Sequence, residues 1–328
     1  MKKIILLILF VLFTFMPVKA QHVDVVYATD DNYVICTLVS IYSILKNNIS
    51  NSDYTFYILE NGITQNNKNL MTKYVNRYNQ NIEFIYVDPH KIDKNNKLYG
   101  WRVPVLAIAR IIIPKILPNN VHKVIYVDGD TIITGDFSEL YNYDLKNYPL
   151  GMVKDFSESK EKIKFEGKLH GGYYNGGIML INIDKWNKDK ITELLLSDME
   201  RNYKNYIKWG LADQDLISYA LQGRIRTLPP NWNIQTMTGR PNFDIYYPGM
   251  LHFIVDKPWN VPYYSYIDES HRIYFKYWNK SGLRKYKYIA LIKVINKELY
   301  FHKFRGFLKE IKHLRKIPLN FCLRYFEV

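Results

Sequence analysis

Two aspartates separated by one glycine, Asp128 and Asp130 around Gly129, close an apolar run that ends at Val127. Carboxylates spaced this way at a strand end form a hard-oxygen site for Mn²⁺ or Mg²⁺, with positions left open for phosphate oxygens. A cation held there would neutralise a diphosphate as it leaves. Asp30 and Asn32, Asn175, Asp213 with Gln214, His252 and Lys257 also follow or interrupt apolar stretches. Each has a plainer reading by itself. Asp30, Asn32 and Asp213 are good helix caps, Asn175-Gly176-Gly177 is a turn entering a strand, and His252 is a strand histidine. Taken together they form a chemical set. An imidazole beside two carboxylates suits Mn²⁺ better than Mg²⁺, which prefers all-oxygen shells, and Lys257 is a point charge suited to phosphate.

Strands and helices must bring these residues together. Val23–Thr29, Tyr54–Leu59, Ile82–Val87 and Val121–Val127 are short β-branched or apolar runs that read as strands. Between them, Val34, Leu38, Ile41, Tyr42 and Leu45 recur at helical spacing. Thr64–Tyr78 and Pro104–Ile116 also read as helices. In the second half, Gly176–Ile183 is a predicted strand, followed by a helix from Asp184 to about Tyr203. A short helix over Asp213–Ala220 and strands at Ile225–Leu228 and Leu251–Val255 complete the reading. Alternating strands and helices imply an α/β fold with a mostly parallel sheet covered on both faces. Ligands bind beyond the carboxyl ends of such strands, where Asp30-Asp31-Asn32 and Asp128-Gly129-Asp130 both fall.

Six blocks in order carry a resemblance: VVYATDDNYV (Val25–Val34), ARIIIPKILP (Ala109–Pro118), VIYVDGDTIITGDFSELY (Val124–Tyr141), YYNGGIMLINIDKW (Tyr173–Trp186), LADQDLI with LPPNWN (Leu211–Asn233), and MLHFIVDKPW (Met250–Trp259). Together they resemble glycosyltransferase family 8, the family of glycogenin and of bacterial lipopolysaccharide galactosyl- and glucosyltransferases. The resemblance implies a Rossmann-like, GT-A type catalytic domain that transfers a hexose, glucose or galactose, from a UDP-sugar with retention. Ala28, Asp30 and Asn32 would line the uridine pocket. Arg110 would reach the ribose or donor sugar, and Gly129 would lie in the donor site. Asp128, Asp130 and His252 would hold the metal, and Lys257 would pair with the diphosphate. Asn175 and Asp213 would hydrogen-bond the hexose, and Gln214 would face the anomeric carbon. Gln214 is a poor nucleophile, which favours front-face substitution over a covalent intermediate. The family pattern His-x-x-Gly-x-x-Lys-Pro-Trp is one residue shorter here and lacks its glycine, so His252 and Lys257 must converge by a different bend.

The chain has 328 residues and a formal net charge of +14. From Lys280 onward thirteen Lys/Arg face three acids, so residues 280–328 form a basic, aromatic-rich tail distinct from a body at 21–279. Such a segment suits an anionic membrane surface, and hence a glycan or lipid-linked, lipopolysaccharide-type acceptor; the other reading is a terminal helix packed on the body. No nucleic-acid motif accompanies the charge. Residues 1–20 carry Lys2 and Lys3, an apolar run from Ile4 to Met16 and Val18-Lys19-Ala20. This is the pattern of a signal peptide or N-terminal anchor. It leaves two locations open: the cytoplasmic membrane face, or an exported or secretory-pathway enzyme. With only two cysteines, Cys36 and Cys322 at opposite ends of the chain and Cys36 on the apolar face of a predicted helix, the sequence carries no disulfide framework and no pattern for a cysteine metal site. Two other functions compete. A haloacid-dehalogenase-type phosphohydrolase shares the strand and D-x-D, but the later lysine and acidic pair it needs are not evident. A non-catalytic relative that binds a sugar nucleotide or glycan would fit the shortened His252–Lys257 segment.

Overall fold

The structure is a computed structural model that describes residues 20–88, 105–209, 213–237, 243–254, 257–260 and 268–286. The N-terminal apolar segment, most of the basic tail, Cys322, Leu211 and Ala212, and Val255 and Asp256 lie outside the described residues. Strands β1 (His22–Ala28), β2 (Asp53–Glu60), β3 (Asn81–Tyr86) and β4 (Lys123–Val127) form the parallel half of a seven-stranded sheet. Helices α1 (Val34–Lys46) and α2 (Gln65–Asn76) follow β1 and β2. The predicted helix at 104–116 is three pieces: α3 (Val105–Ala109), a 3₁₀ turn at Arg110–Ile112, and α4 (Ile113–Ile116). Pro114 sits in the first turn of α4. There its missing N–H does no harm, whereas a continuous helix would lose a hydrogen bond.

Beyond β4 the sheet order is β4-β7-β6-β8, with β6 at Leu150–Met152, β7 at Ile178–Asn182 and β8 at Ile225–Thr227. β7 runs antiparallel to β4, so the sheet is mixed. The reversal matters for the site, because it delivers the residues that precede β7 to the carboxyl edge of β4. A second sheet, β5-β10-β9, joins β5 (Thr131–Ile133), β10 (Met250–Phe253) and β9 (Ile234–Thr236). Alternation along the strands divides two cores. Val25, Tyr27, Ile125, Val127, Ile178 and Leu180 face one. Val26, Val124, Tyr126, Met179 and Ile181 face the other. This is the period-two side-chain pattern expected for a sheet buried on both faces.

Short helices α5 (Phe137–Tyr141) and α6 (Glu158–Lys164) precede β7. The predicted helix from Asp184 is two helices, α7 (Ile183–Lys188) and α8 (Ile191–Trp209). Lys190, at φ +51°, breaks them apart. α9 spans Asp213–Ala220 as the spacing predicts. A further helix, α10 (Glu269–Lys280), buries Tyr274, Phe275 and Trp278 against the first core. Past the composition boundary at Lys280, Leu283 is also buried, and Ser281 O accepts a 2.8 Å bond from Tyr74 Oη. Cys36 is buried, in keeping with its place on the apolar face of α1.

Asp268 caps α10, accepting from His271 N at 3.1 Å, Ser270 Oγ at 2.6 Å and His271 Nδ1 at 2.7 Å. Burial by itself would raise this carboxyl, but the bonds from His271 and Ser270 outweigh it and hold the group at about 2. Replacing Asp268 with Ala is expected to lower the unfolding free energy by about 1 kcal/mol, read as a lower urea midpoint at unchanged slope. Because the folded-state value is depressed, the stabilisation is complete above the ordinary carboxylate range and fades as pH falls through about 2. An unchanged midpoint at neutral pH would show that the cap contributes nothing.

Candidate active site

The site forms where β1 and β4 end side by side, since Tyr27 pairs with Val127. Below it, a buried chain of hydroxyls supports the Asp128-Gly129-Asp130 turn. Tyr27 Oη and Ser40 Oγ are 2.9 Å apart, and Ser40 Oγ and Thr131 Oγ1 are 2.8 Å apart. Thr131 Oγ1 donates to Asp128 O at 2.9 Å. A side chain at Gly129 would collide with Thr37 Oγ1 on α1, 2.7 Å from where its Cβ would lie. The turn therefore needs glycine because helix α1 is so close.

Antiparallel pairing supplies the remaining parts. Asp128 N donates to Gly177 O at 3.0 Å, which holds the segment before β7 against the D-x-D turn. β10 runs antiparallel to β5 with His252 opposite Thr131, and Phe253 N donates to Asp130 O at 3.0 Å. One ligand atom each from Asp128, Asp130 and His252 therefore lies within 4.8 Å of the others. His252 Nε2 is 3.3 Å from Asp130 Oδ1 and 3.9 Å from Asp128 Oδ2. His252 is 4% exposed and Asp130 9%. Lys257 Nζ is paired with Asp130 Oδ2 and also donates to Phe253 O. The shortened His252–Lys257 segment thus does bring both side chains to one carboxylate.

Arg110 ties the first aspartate to α9. Its guanidinium lies over the Tyr126 ring at 4.7 Å, and Nη1 donates to Gly176 O at 2.6 Å. Nη2 donates to Asp128 Oδ1 at 3.3 Å, and Nε is 2.8 Å from Asp213 Oδ2. Burial opposes the charge on Arg110, but Asp128 and Asp213 outweigh it, so the guanidinium is held charged more firmly than usual. Tyr126 Oη also donates to Asp128 Oδ1, at 2.7 Å. For Asp130, burial alone would raise the carboxyl, and the charges of His252 and Lys257 outweigh it and keep it below the usual range. For Asp213, burial wins over Arg110, and the carboxyl is raised.

Gln214 is oriented on both sides of its amide. Nε2 donates to Tyr173 Oη at 2.8 Å, and Oε1 accepts from Gly176 N at 3.2 Å. Asn175 is buried, and both ends of its amide are held. Nδ2 donates to Asp155 Oδ2 at 3.0 Å, and Oδ1 accepts from Gly177 N and from Asn233 Nδ2, each at 2.9 Å. At the β1 end, Asp30 Oδ1 accepts from Asn32 N at 2.9 Å and Tyr33 N at 3.1 Å, which holds the turn ahead of α1; neither Asp30 nor Asn32 is the helix cap the sequence suggested, because the N-cap position falls on Tyr33. Asn32 is exposed and Ala28 is half-buried. Tyr33 links this corner to the turn. Burial first, then Asp130, Cys36, Asp30 and Asp128, raise its hydroxyl, and its ring meets Trp259 edge-on at 5.9 Å.

The residues at the site fit a divalent cation. Asp130 Oδ1 is buried without a hydrogen-bond partner, while a ring nitrogen and a second carboxylate face it. Sequence reasoning gave no role to Asn233, Tyr126, Tyr173 or Asp155. Asn233, Tyr126 and Tyr173 lie inside the quoted blocks, but nothing in their spacing marks a polar partner. Asp155 follows a three-residue strand that is too short to register.

Comparisons with known proteins come to the same place. General stress protein A of Bacillus subtilis is 27% identical over 282 residues, covering 80% of this chain and 97% of that protein. A lipopolysaccharide 1,2-glucosyltransferase of Escherichia coli is 24% identical over 316 residues, covering 91% and 90%. Among solved structures, the galactosyltransferase LgtC in complex with donor and acceptor sugar analogues superposes with a TM-score of 0.64 at 21% identity. It covers 78% of this chain and 95% of its own, and at that identity the likeness speaks for the GT-A fold. The model of the family described as glycosyl transferase family 8 matches residues 24–261, a span that holds the D-x-D turn, Arg110, Gln214, His252 and Lys257. The chain belongs to glycosyl transferase family 8, and it is a glycosyltransferase acting on nucleotide-sugar donors.

Proposed function

We propose that this enzyme transfers glucose or galactose from a UDP-sugar to a glycan or lipid-linked acceptor, with retention of anomeric configuration. The observation that carries the reading is the convergence of Asp128, Asp130 and His252 beside Lys257 and Gln214. Asp128, Asp130 and His252 would hold Mn²⁺ or Mg²⁺, which when bound offsets the charge of a leaving diphosphate. The chain's own groups do the rest. Lys257 reaches Asp130 in this structure and supplies a mobile positive charge for a phosphate oxygen. Ala28, Asp30 and Asn32 at the end of β1 line the uridine side. Arg110 holds Asp128 and Asp213 in place, and Asp213 and the second amide proton of Asn175 read the hexose. Gln214, with its amide held between Tyr173 and Gly176, is positioned to orient rather than to attack. That favours departure of the diphosphate and entry of the acceptor on one face, with the acceptor proton passing to a leaving-group oxygen. A carboxylate nucleophile is not required.

The acceptor reading rests on the basic, aromatic segment from Lys280 and on the lipopolysaccharide glucosyltransferase among the relatives. Among the described residues, no helix is long and apolar enough to cross a membrane. An amphipathic tail lying on an anionic surface is consistent with that. The location we favour is the cytoplasmic membrane face, with export as the alternative should residues 1–20 be cleaved as a signal.

Four outcomes test these statements. A screen of UDP-glucose, UDP-galactose and other nucleotide-sugars is expected to show Mn²⁺-dependent donor hydrolysis. Asp130→Asn should lower it by at least about 10²-fold with the fold intact by circular dichroism; near-normal turnover in that variant would refute the assignment. Gly177→Ala would drive a Cβ into the His252 ring, so Mn²⁺ affinity should drop by about 10-fold or more. Unchanged affinity would place His252 outside the site. Finally, the full chain should float with vesicles containing anionic lipid, and a chain ending at Tyr286 should not. Equal flotation would remove the tail from acceptor docking.

A further inference from the structure

His252 Nδ1 lies 3.0 Å from Asn233 Oδ1, both buried. Whether the Asn233 amide turns its oxygen or its NH₂ to the ring decides which ring nitrogen faces the aspartates as a free ligand. The donors and acceptors around them settle that choice without reference to a bound ion. Gly177 N is a backbone donor and can only give its proton, so the atom of Asn175 that receives it at 2.9 Å is the amide oxygen. The other end of that amide then points its NH₂ at Asp155 Oδ2, 3.0 Å away, and a carboxylate accepts it. Asp155 is itself held by Ser157, which donates from its backbone N at 2.8 Å and its hydroxyl at 2.6 Å to Oδ1. With Asn175 locked, its oxygen needs a second donor from Asn233, and Asn233 Nδ2 supplies it at 2.9 Å. Asn233 is thereby forced to turn its oxygen to His252.

We propose that Asn233, aligned by Asn175 and Asp155, is a positioning residue that keeps a proton on His252 Nδ1 and so dedicates Nε2 to the metal. The inference rests on the metal-site reading above. It extends that reading to residues more than one shell away and gives Asn233 and Asp155 a role in the donor site. Outer partners of this kind fix a ligand's ring orientation and its tautomer. Here the source is an amide relay whose direction is set by one backbone N–H and one carboxylate. Gly177 serves twice in it: its N–H fixes the relay, and its missing side chain leaves room for the His252 ring.

The test begins with metal-free wild-type protein carrying ¹⁵N-labelled histidine. Long-range ¹⁵N–¹H spectra at alkaline pH should show His252 Nδ1 protonated. A bare Nδ1 there overturns the proposal before any variant is made. Mn²⁺ titration followed by electron paramagnetic resonance then compares two variants. Asn233→Ala removes the acceptor and should weaken Mn²⁺ binding about 10- to 100-fold, with the Nδ1 proton preference lost. Asn233→Asp keeps an oxygen facing Nδ1 but loses the bond to Asn175 Oδ1, so it should retain that proton and bind Mn²⁺ more tightly than Asn233→Ala. Equal loss in both variants with Nδ1 still protonated would overturn the relay. Wild-type protein that binds no Mn²⁺ would instead sink the metal-site reading, while the histidine spectra would still judge the relay.

Discussion

Two carboxylates flanking one glycine at a strand end, one half-buried and one buried, need positive charge from elsewhere to meet them. That constraint organises the molecule around the turn after β4. Arg110 comes from a 3₁₀ turn before β4, and His252 and Lys257 come from β10 and the segment after it. Asp128 is served by Arg110 and Tyr126, and Asp130 by Lys257 on one oxygen, with His252 Nε2 3.3 Å from the other. Two separate sets of partners allow the pair to differ. Asp128 is anchored, while one oxygen of Asp130 is left buried and unsatisfied. A buried acceptor without a partner costs on the order of 1–3 kcal/mol, and a cation bound there would remove that cost.

The topology follows from the same need. A fully parallel sheet would place the start of β7 at the far edge of the molecule from the D-x-D turn. Antiparallel β7 brings Gly176 and Gly177 to the turn, and antiparallel β10 brings His252. Both reversals occur beyond the β3-β2-β1-β4 half, which keeps the order of a nucleotide-binding sheet and its crevice at the strand ends. The charged cluster thus draws on both halves of the chain, with Arg110, Asp128 and Asp130 from the first and His252 and Lys257 from the second. The halves meet where Phe253 N donates to Asp130 O and where Tyr33 packs against Trp259.

Much of this was legible in the residues themselves. The four parallel strands are apolar and β-branched over five to eight residues, long enough for their pattern to show. The two aspartates, the histidine and the lysine were legible as a chemical set, and the structure brings all four together. What stayed hidden was short or lacked punctuation. β5, β6 and β9 have three residues each, fewer than any period needs. The break between α7 and α8 falls at Lys190, with no glycine or proline to announce it. Asn233 and Asp155 gave no signal, because an amide relay depends on three-dimensional neighbours and not on spacing. Asp30 was read both as a helix cap and as a uracil partner, and its hydrogen bonds hold the turn before α1, whose N-cap position is Tyr33.

The central claim is that Asp128, Asp130 and His252 grip one divalent ion that anchors the donor's diphosphate. The most direct measurement is a crystal structure of the protein soaked with UDP and Mn²⁺, with anomalous scattering collected at the manganese edge. The account requires a single anomalous peak between those three side chains, with diphosphate oxygens completing its shell and Lys257 drawn from Asp130 toward phosphate. A structure with UDP bound, no peak there and the three side chains directed apart would contradict it.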